Sequence, residues 1–102
     1  MYIVYVLQSQ MNKQLYVGFT EDLEQRLATH NRGEVISTKA YRPWNCIFHE
    51  CYTNKADALR REQYLKTTAG KRALKLMLRE TFARRSRLLV SSGEEDLLTQ
   101  FI

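Results

Sequence analysis

Tyr2-Ile3-Val4-Tyr5-Val6-Leu7 and Gln14-Leu15-Tyr16-Val17-Gly18, joined through Gln8 to Lys13, form the stretch YIVYVLQSQMNKQLYVG, on which the fold of this chain turns. Both runs are made of β-branched and aromatic residues, and the polar link between them has no periodicity. This pattern predicts a β-hairpin. Alternation along a strand puts Ile3, Tyr5 and Leu7 on one face and Tyr2, Val4 and Val6 on the other. Tyr5 and Tyr16 are therefore expected to meet across the hairpin with their phenols side by side. On residue type alone the pair reads as cross-strand glue.

Downstream, Thr20 is read as the N-cap of a helix with Glu21 and Asp22 in its first turn, and Gly33 as its stop. On that helix Leu23, Leu27, Arg26 and His30 fall within one arc of about 100°. Arg26 and His30 thus lie beside the leucines, one turn apart, and face a cleft. Residues 34–45, with Ser37-Thr38 and Arg42-Pro43-Trp44, read as a loop, since the chain's only proline bars a helix there. Cys46 to Tyr52 is predicted to be a third strand with Cys46, Phe48, Glu50 and Tyr52 on one face.

Asn54 is the expected cap of a second helix, with Asp57 in its first turn. Ala58, Leu59 and Leu65 define its buried side, and Glu62 falls between Ala58 and Leu59. A carboxylate in an apolar arc must be paired or bind a cation. The structural reading is an ion pair with Arg26; the functional one is a metal ligand. Thr67-Thr68-Ala69-Gly70 reads as a break before a third helix from Lys71 to about Arg85. Its buried stripe is Leu74, Met77, Leu78, Thr81 and Phe82, and Lys71, Arg72, Lys75 and Arg79 share an adjoining face suited to phosphate contacts. Ser92 caps a predicted short helix over 93–101, and the expected division is a domain of residues 1–85 with a tail of 86–102.

Length allows one domain with a modest core. The net charge of +5 is unevenly placed: residues 1–54 balance, 55–87 carry eleven basic and three acidic side chains, and 88–102 carry three acidic and none basic. Positive charge confined to one helical stretch points to a polyanionic partner. The first apolar run, six residues without a basic leader, is too short for a signal peptide or a bilayer span. A cytoplasmic protein with no membrane association is the expectation. Cys46 and Cys51, an odd number of residues apart, are expected on opposite faces as small buried side chains. With His49 they fall short of the four ligands of a structural zinc site.

The order strand, strand, helix, strand, helix, helix predicts an α+β fold, a three-stranded antiparallel sheet flanked by helices with a short C-terminal helical tail. Polar residues stand at its core-facing positions: Tyr5, Tyr16, Arg26, His30 and Glu62. Together with Ile3-Val4-Tyr5 (or Val4-Tyr5-Val6), Tyr16-Val17-Gly18-Phe19-Thr20, Arg26-x3-His30-Asn31, Arg42-Pro43-Trp44 and Glu62-x3-Lys66, this set resembles the GIY-YIG nuclease superfamily over roughly residues 2–80. It looks closest to the short, stand-alone, YhbQ-like bacterial members.

The resemblance implies a metal-dependent DNA endonuclease with little sequence specificity, in DNA repair or recombination, and with structure-selective cleavage as one form of it. By the same resemblance Glu62 holds a single divalent cation, Mg²⁺ or Mn²⁺. Tyr5 positions or deprotonates water, Arg26 stabilises transition-state charge, and Tyr16 and His30 assist. Lys66, Lys71, Arg72, Lys75 and Arg79 are the expected DNA contacts. One carboxylate suits a hard ion that keeps several waters. A tyrosine of ordinary pKa about 10 is a poor base at neutral pH, and nearby cations are expected to lower it. Whether Tyr5 or His30 takes the proton is left open by the sequence. Many active members carry an asparagine about a dozen residues beyond the glutamate; here Leu74 stands in that neighbourhood and no asparagine follows Asn54. The alternative reading is a non-catalytic nucleic-acid-binding module with the same fold.

Overall fold

The computed structural model describes residues 1–83; the tail and its expected helix, and the 85/86 boundary, lie outside them. The two apolar runs form β1 (Tyr2–Ser9) and β2 (Leu15–Thr20), paired antiparallel with Tyr5 opposite Gly18 and Leu7 opposite Tyr16. Tyr5 and Tyr16 share a face as expected, diagonally rather than head-on. Ser9 closes the turn: its Oγ accepts from the Met11 and Asn12 amides and donates to the Tyr41 carbonyl at 2.6 Å. Such a polar link satisfies backbone groups that the ladder leaves open.

The third strand, β3 (Trp44–Tyr52), pairs antiparallel with the other edge of β1, giving the order β2-β1-β3. It begins at Trp44, earlier than composition suggests, because Trp44 and Asn45 pair with Ser9 and Gln8. The ladder is irregular between Val6 and Leu7: Phe48 stands opposite Val6 but Cys46 opposite Leu7, so Ile47 is an extra residue. This bulge corrects two expectations. Cys46 lies on the Tyr5–Leu7 face, away from Phe48, Glu50 and Tyr52, and packs on the cluster of Tyr5, Leu7 and Trp44. Cys51, opposite Ile3, falls on the same side as Cys46 rather than on the opposite one. Both thiols are free; Cys46 is partly buried, which pushes its pKa up, whereas Cys51 is exposed rather than buried.

The first helix, α1 (Leu23–Asn31), is capped by Asp22, whose carboxylate accepts from the Gln25 amide. Thr20 is still part of β2, so the cap passes to the next side chain that can accept a hydrogen bond from the first turn. Gly33, at φ 80°, ends the helix as predicted. The second helix, α2 (Lys55–Leu65), has the expected Asn54 cap, which accepts from Ala56 and Asp57. Ala58 and Leu65 are buried, but Leu59 is 38% exposed. The inward stripe follows Ala58, Glu62 and Leu65 at i, i+4 and i+7, leaving Leu59 on the rim. α1 packs on β3, and α2 on all three strands. Arg61 pairs with Glu50 at 2.9 Å, which brings α2 to the Val4–Val6 face.

Backbone contacts divide the chain into two units, Met1–Lys66 and Thr67–Ile102. In the second, α3 (Thr68–Met77) starts earlier than predicted. Thr67 is its cap, accepting from the Gly70 amide at 3.0 Å, so the supposed break is the first helical turn. The helix ends at Leu78 (φ −110°, ψ 22°) and helical geometry resumes over 79–83. Leu74 and Ala83 are buried, and Leu78, Thr81 and Phe82 partly so; Met77, expected in the stripe, is 45% exposed. No helix among the described residues is long and apolar enough to cross a membrane.

Candidate active site

Tyr5 sits in the central strand, where both neighbouring strands shield it, and is 1% exposed. Its ring lies over Gly18, in the space a Cβ there would occupy. Only a glycine in β2 admits this packing. The phenol then reaches α1. His30 Nε2 is 2.9 Å from the Tyr5 hydroxyl, and Arg26 Nε donates to the same oxygen at 3.4 Å. Arg26 and His30 are one helical turn apart, so the helix aims both at one atom. Tyr16 completes the group, its ring edge-on to His30 at 5.0 Å, 6.3 Å from Tyr5 and 6.4 Å from Trp44.

Burial sets the protonation states. It pushes the Tyr5 pKa above its ordinary value despite the Arg26 hydrogen bond, which pulls the other way. Arg26 lowers it as expected, but loss of water around the ring outweighs that one cation. His30 is fully buried, and burial, followed by the Arg26 charge, lowers its pKa to about 4. Its imidazole is therefore neutral at pH 7, with one ring nitrogen open to accept a hydrogen bond.

The other imidazole nitrogen, Nδ1, lies 2.8 Å from the Thr38 hydroxyl, itself fully buried. Thr38 was legible only as one polar residue of a loop, since a Ser-Thr pair before a proline reads as turn chemistry. The loop is tied down twice more. Asn31 accepts from the Trp44 amide at 2.7 Å and donates to the Trp44 carbonyl at 3.0 Å, and Trp44 Nε1 donates to the Thr38 carbonyl at 2.9 Å.

Glu62 projects from α2 with its side chain 14% exposed. Its partner is Lys66 at 3.2 Å, four residues on, not Arg26. Arg26 is held instead by Tyr5, whose hydrogen bond raises the guanidinium pKa. The Glu62 charge is near enough to Tyr5 to help raise the phenol's pKa. Lys66, expected at the nucleic acid, rests on Glu62 with about half its side chain exposed (47%). Lys71, Arg72, Lys75 and Arg79 are all exposed, on the second unit, with Arg79 donating to the Leu76 carbonyl at 2.7 Å.

Residues 1–75 match the model of the GIY-YIG catalytic domain. The chain belongs to the GIY-YIG family. It is similar to a UPF0213 protein of Staphylococcus haemolyticus, 37% identical over 75 residues that cover 72% of this chain and 90% of the relative. A UPF0213 protein of Bacillus pumilus is 42% identical over 59 residues, 57% of this chain and 60% of that one. A third, from Staphylococcus saprophyticus, is 38% identical over 64 residues, 62% and 78% of the two chains. No solved structure matches the chain.

These matches support the small stand-alone branch of the GIY-YIG family, a family of endonuclease-type hydrolases that act on nucleic acid and generally use a divalent ion. Among the described residues no three His, Cys, Asp or Glu side chains cluster as a metal cage. Glu62 is a single, part-exposed carboxylate, a donor set that fits a hard cation keeping most of its waters.

Proposed function

We propose that this GIY-YIG chain hydrolyses DNA phosphodiester bonds with little sequence selectivity, using a divalent ion held by Glu62. The observation that carries the reading is the Tyr5 hydroxyl held by His30 Nε2 at 2.9 Å and Arg26 Nε at 3.4 Å. A buried phenol with a neutral imidazole on one side and a guanidinium on the other is built to orient a water and to meet negative charge. Tyr5, its hydroxyl donating to His30 Nε2, positions the attacking water, and the new P–O bond forms as the bond to the leaving sugar oxygen breaks. Arg26 stabilises the charge that gathers on the non-bridging phosphate oxygens. Tyr16 packs edge-on against His30 and fixes its plane. Glu62 would hold a hard cation, and that ion would supply Lewis-acid stabilisation of the scissile phosphate.

Lys71, Arg72, Lys75 and Arg79 give the second unit a cationic surface for phosphate contacts. The test is incubation with branched, single-stranded and duplex DNA, with and without Mg²⁺ or Mn²⁺. Wild type should cleave, while Glu62→Ala and Arg26→Ala lose about 10²–10³ in rate, the scale for removing one transition-state contact. Equal cleavage by wild type and both variants, or none by wild type, rejects the reading.

One observation favours a second function. Glu62 already has Lys66 as its counter-ion, as in a fold kept for binding alone. That reading expects salt-sensitive DNA binding, no metal-dependent cleavage, and unchanged binding in Glu62→Ala.

A further inference from the structure

We propose that Thr38 is a positioning residue of the candidate site: its hydroxyl holds His30 in the Nδ1–H tautomer, so that Nε2 stays unprotonated and faces the Tyr5 phenol. The catalytic consequence rests on the nuclease reading; the tautomer itself does not.

A neutral imidazole has one N–H, and the Thr38 and Tyr5 hydroxyls have one proton each. Thr38 Oγ1 lies 2.8 Å from His30 Nδ1 and 3.4 Å from the Val35 carbonyl, which can only accept. If Nδ1 carries the proton, it donates to Thr38, Thr38 donates to Val35, and Tyr5 donates to Nε2. The Arg26 Nε–H then fills a lone pair on the Tyr5 oxygen. Every proton has an acceptor.

In the other tautomer Nε2–H and Arg26 Nε–H both point at the Tyr5 oxygen. Among the described residues, those two groups hydrogen-bond the phenol, so in the resting site its own proton would have no protein acceptor. Tyr5 is 1% exposed, and a buried unpaired hydroxyl is costly. That tautomer would also force Thr38 to donate to Nδ1 and abandon Val35.

The hydroxyl is held where this requires it. Thr38 is fully buried, its carbonyl takes the Trp44 indole N–H, and Trp44 is clamped by Asn31, the residue next to His30. The loop therefore approaches the last turn of α1 at two points with fixed spacing. Thr38 fixes the tautomer of His30, and His30 in turn accepts the hydrogen bond that orients the Tyr5 hydroxyl.

The test pairs Thr38→Val, which keeps the shape and removes the hydroxyl, with Thr38→Ser, which keeps the hydroxyl. Long-range ¹H–¹⁵N NMR of histidine-labelled full-length protein at pH 7 reads the tautomer directly. Wild type and Thr38→Ser should show Nδ1–H, and Thr38→Val a substantial Nε2–H population. In single-turnover DNA cleavage, Thr38→Val should lower the rate about tenfold to a hundredfold, the usual cost of removing an outer partner. Apparent DNA affinity should stay constant, and Thr38→Ser should restore the rate. Nε2–H in wild type overturns the proposal, as does a Thr38→Val protein that keeps Nδ1–H. If Thr38→Val does not fold, the wild-type and Thr38→Ser spectra still decide. A wild-type protein that shows Nδ1–H but cuts no DNA supports the tautomer assignment and rejects the nuclease reading instead.

Discussion

Gly18 stands directly opposite Tyr5 in the β1–β2 ladder, and the place where its Cβ would be is filled by the Tyr5 ring and hydroxyl. The glycine is there for space rather than for backbone freedom. With the space open, the phenol lies flat across the strand and reaches His30 and Arg26.

Gly18→Ala should therefore do two things. A methyl group forced against a buried ring should cost about 1–3 kcal/mol of stability, the range for overpacking a core. It should also push the phenol off His30 and slow cleavage by more than the lost stability explains. Urea unfolding and single-turnover assays at a temperature where the variant is fully folded measure the two effects. A variant as stable and as active as wild type would show that the ring has another place to go.

The spacing of Tyr5, Tyr16, Arg26 and His30 was legible because strand and helix periodicities fix which side chains share a face. Asn54 and Gly33 were legible for a similar reason, since caps and stops are local chemistry. Some of what failed was local, as at the Asp22 and Thr67 caps, and the rest depended on a partner elsewhere in the fold. The extra residue Ile47 appears only when β3 is laid against β1, and it reverses the face of Cys46. Thr38 acquires a role only when the loop folds back on α1. Glu62 was expected to pair with Arg26, and the pattern of its own helix did not say that Tyr5 would claim Arg26 and leave Lys66 as the partner. The direction of the Tyr5 pKa turned on a contest between burial and charge, which spacing does not weigh.

His30 makes stability depend on pH. Its folded-state pKa is lowered from 6.5 to about 4, so between those values the unfolded chain holds a proton that the folded chain does not. Stability is then greatest above pH 6.5 and falls as pH drops toward 4. The span is worth roughly 3 kcal/mol as an order of magnitude. Urea melts at pH 7, 5.5 and 4.5 should fall more steeply for wild type than for His30→Gln, which has no titrating ring. Parallel profiles, or a His30 NMR titration with a midpoint near 6.5, would contradict this.

If Glu62 holds a divalent cation, Lys66 competes with it. The ion pair at 3.2 Å involves a lysine with about half its side chain exposed (47%), so Lys66→Ala should change stability by less than about 0.5 kcal/mol. Removing the ammonium should nonetheless tighten cation binding, since a like charge at that range in water is worth about 1 kcal/mol, or roughly fivefold. Mg²⁺ titrations followed by NMR should show a lower midpoint for Lys66→Ala and no saturable response at residue 62 for Glu62→Ala. Weaker Mg²⁺ binding in Lys66→Ala would mean that the lysine helps to build the cation site rather than to block it.

The exposed Lys71, Lys75 and Arg79 belong to the stretch 55–87 that carries the chain's excess of positive charge. If they neutralise phosphates, each releases about 0.9 counterion on duplex DNA, and the dependence of log affinity on log salt steepens by that amount. The helix break at Leu78 separates Arg79 from the two lysines, so its share is the informative one. Lys71→Gln with Lys75→Gln should reduce the slope by nearly 2, and adding Arg79→Gln by up to one more. Glu62→Ala should leave the slope close to wild type, because a cation site acts on one phosphate while the strip acts on the backbone at large. Fluorescence anisotropy between 50 and 200 mM salt, a range suited to such contacts, reads these slopes directly. An unchanged slope in the triple variant would move the DNA contacts away from this strip.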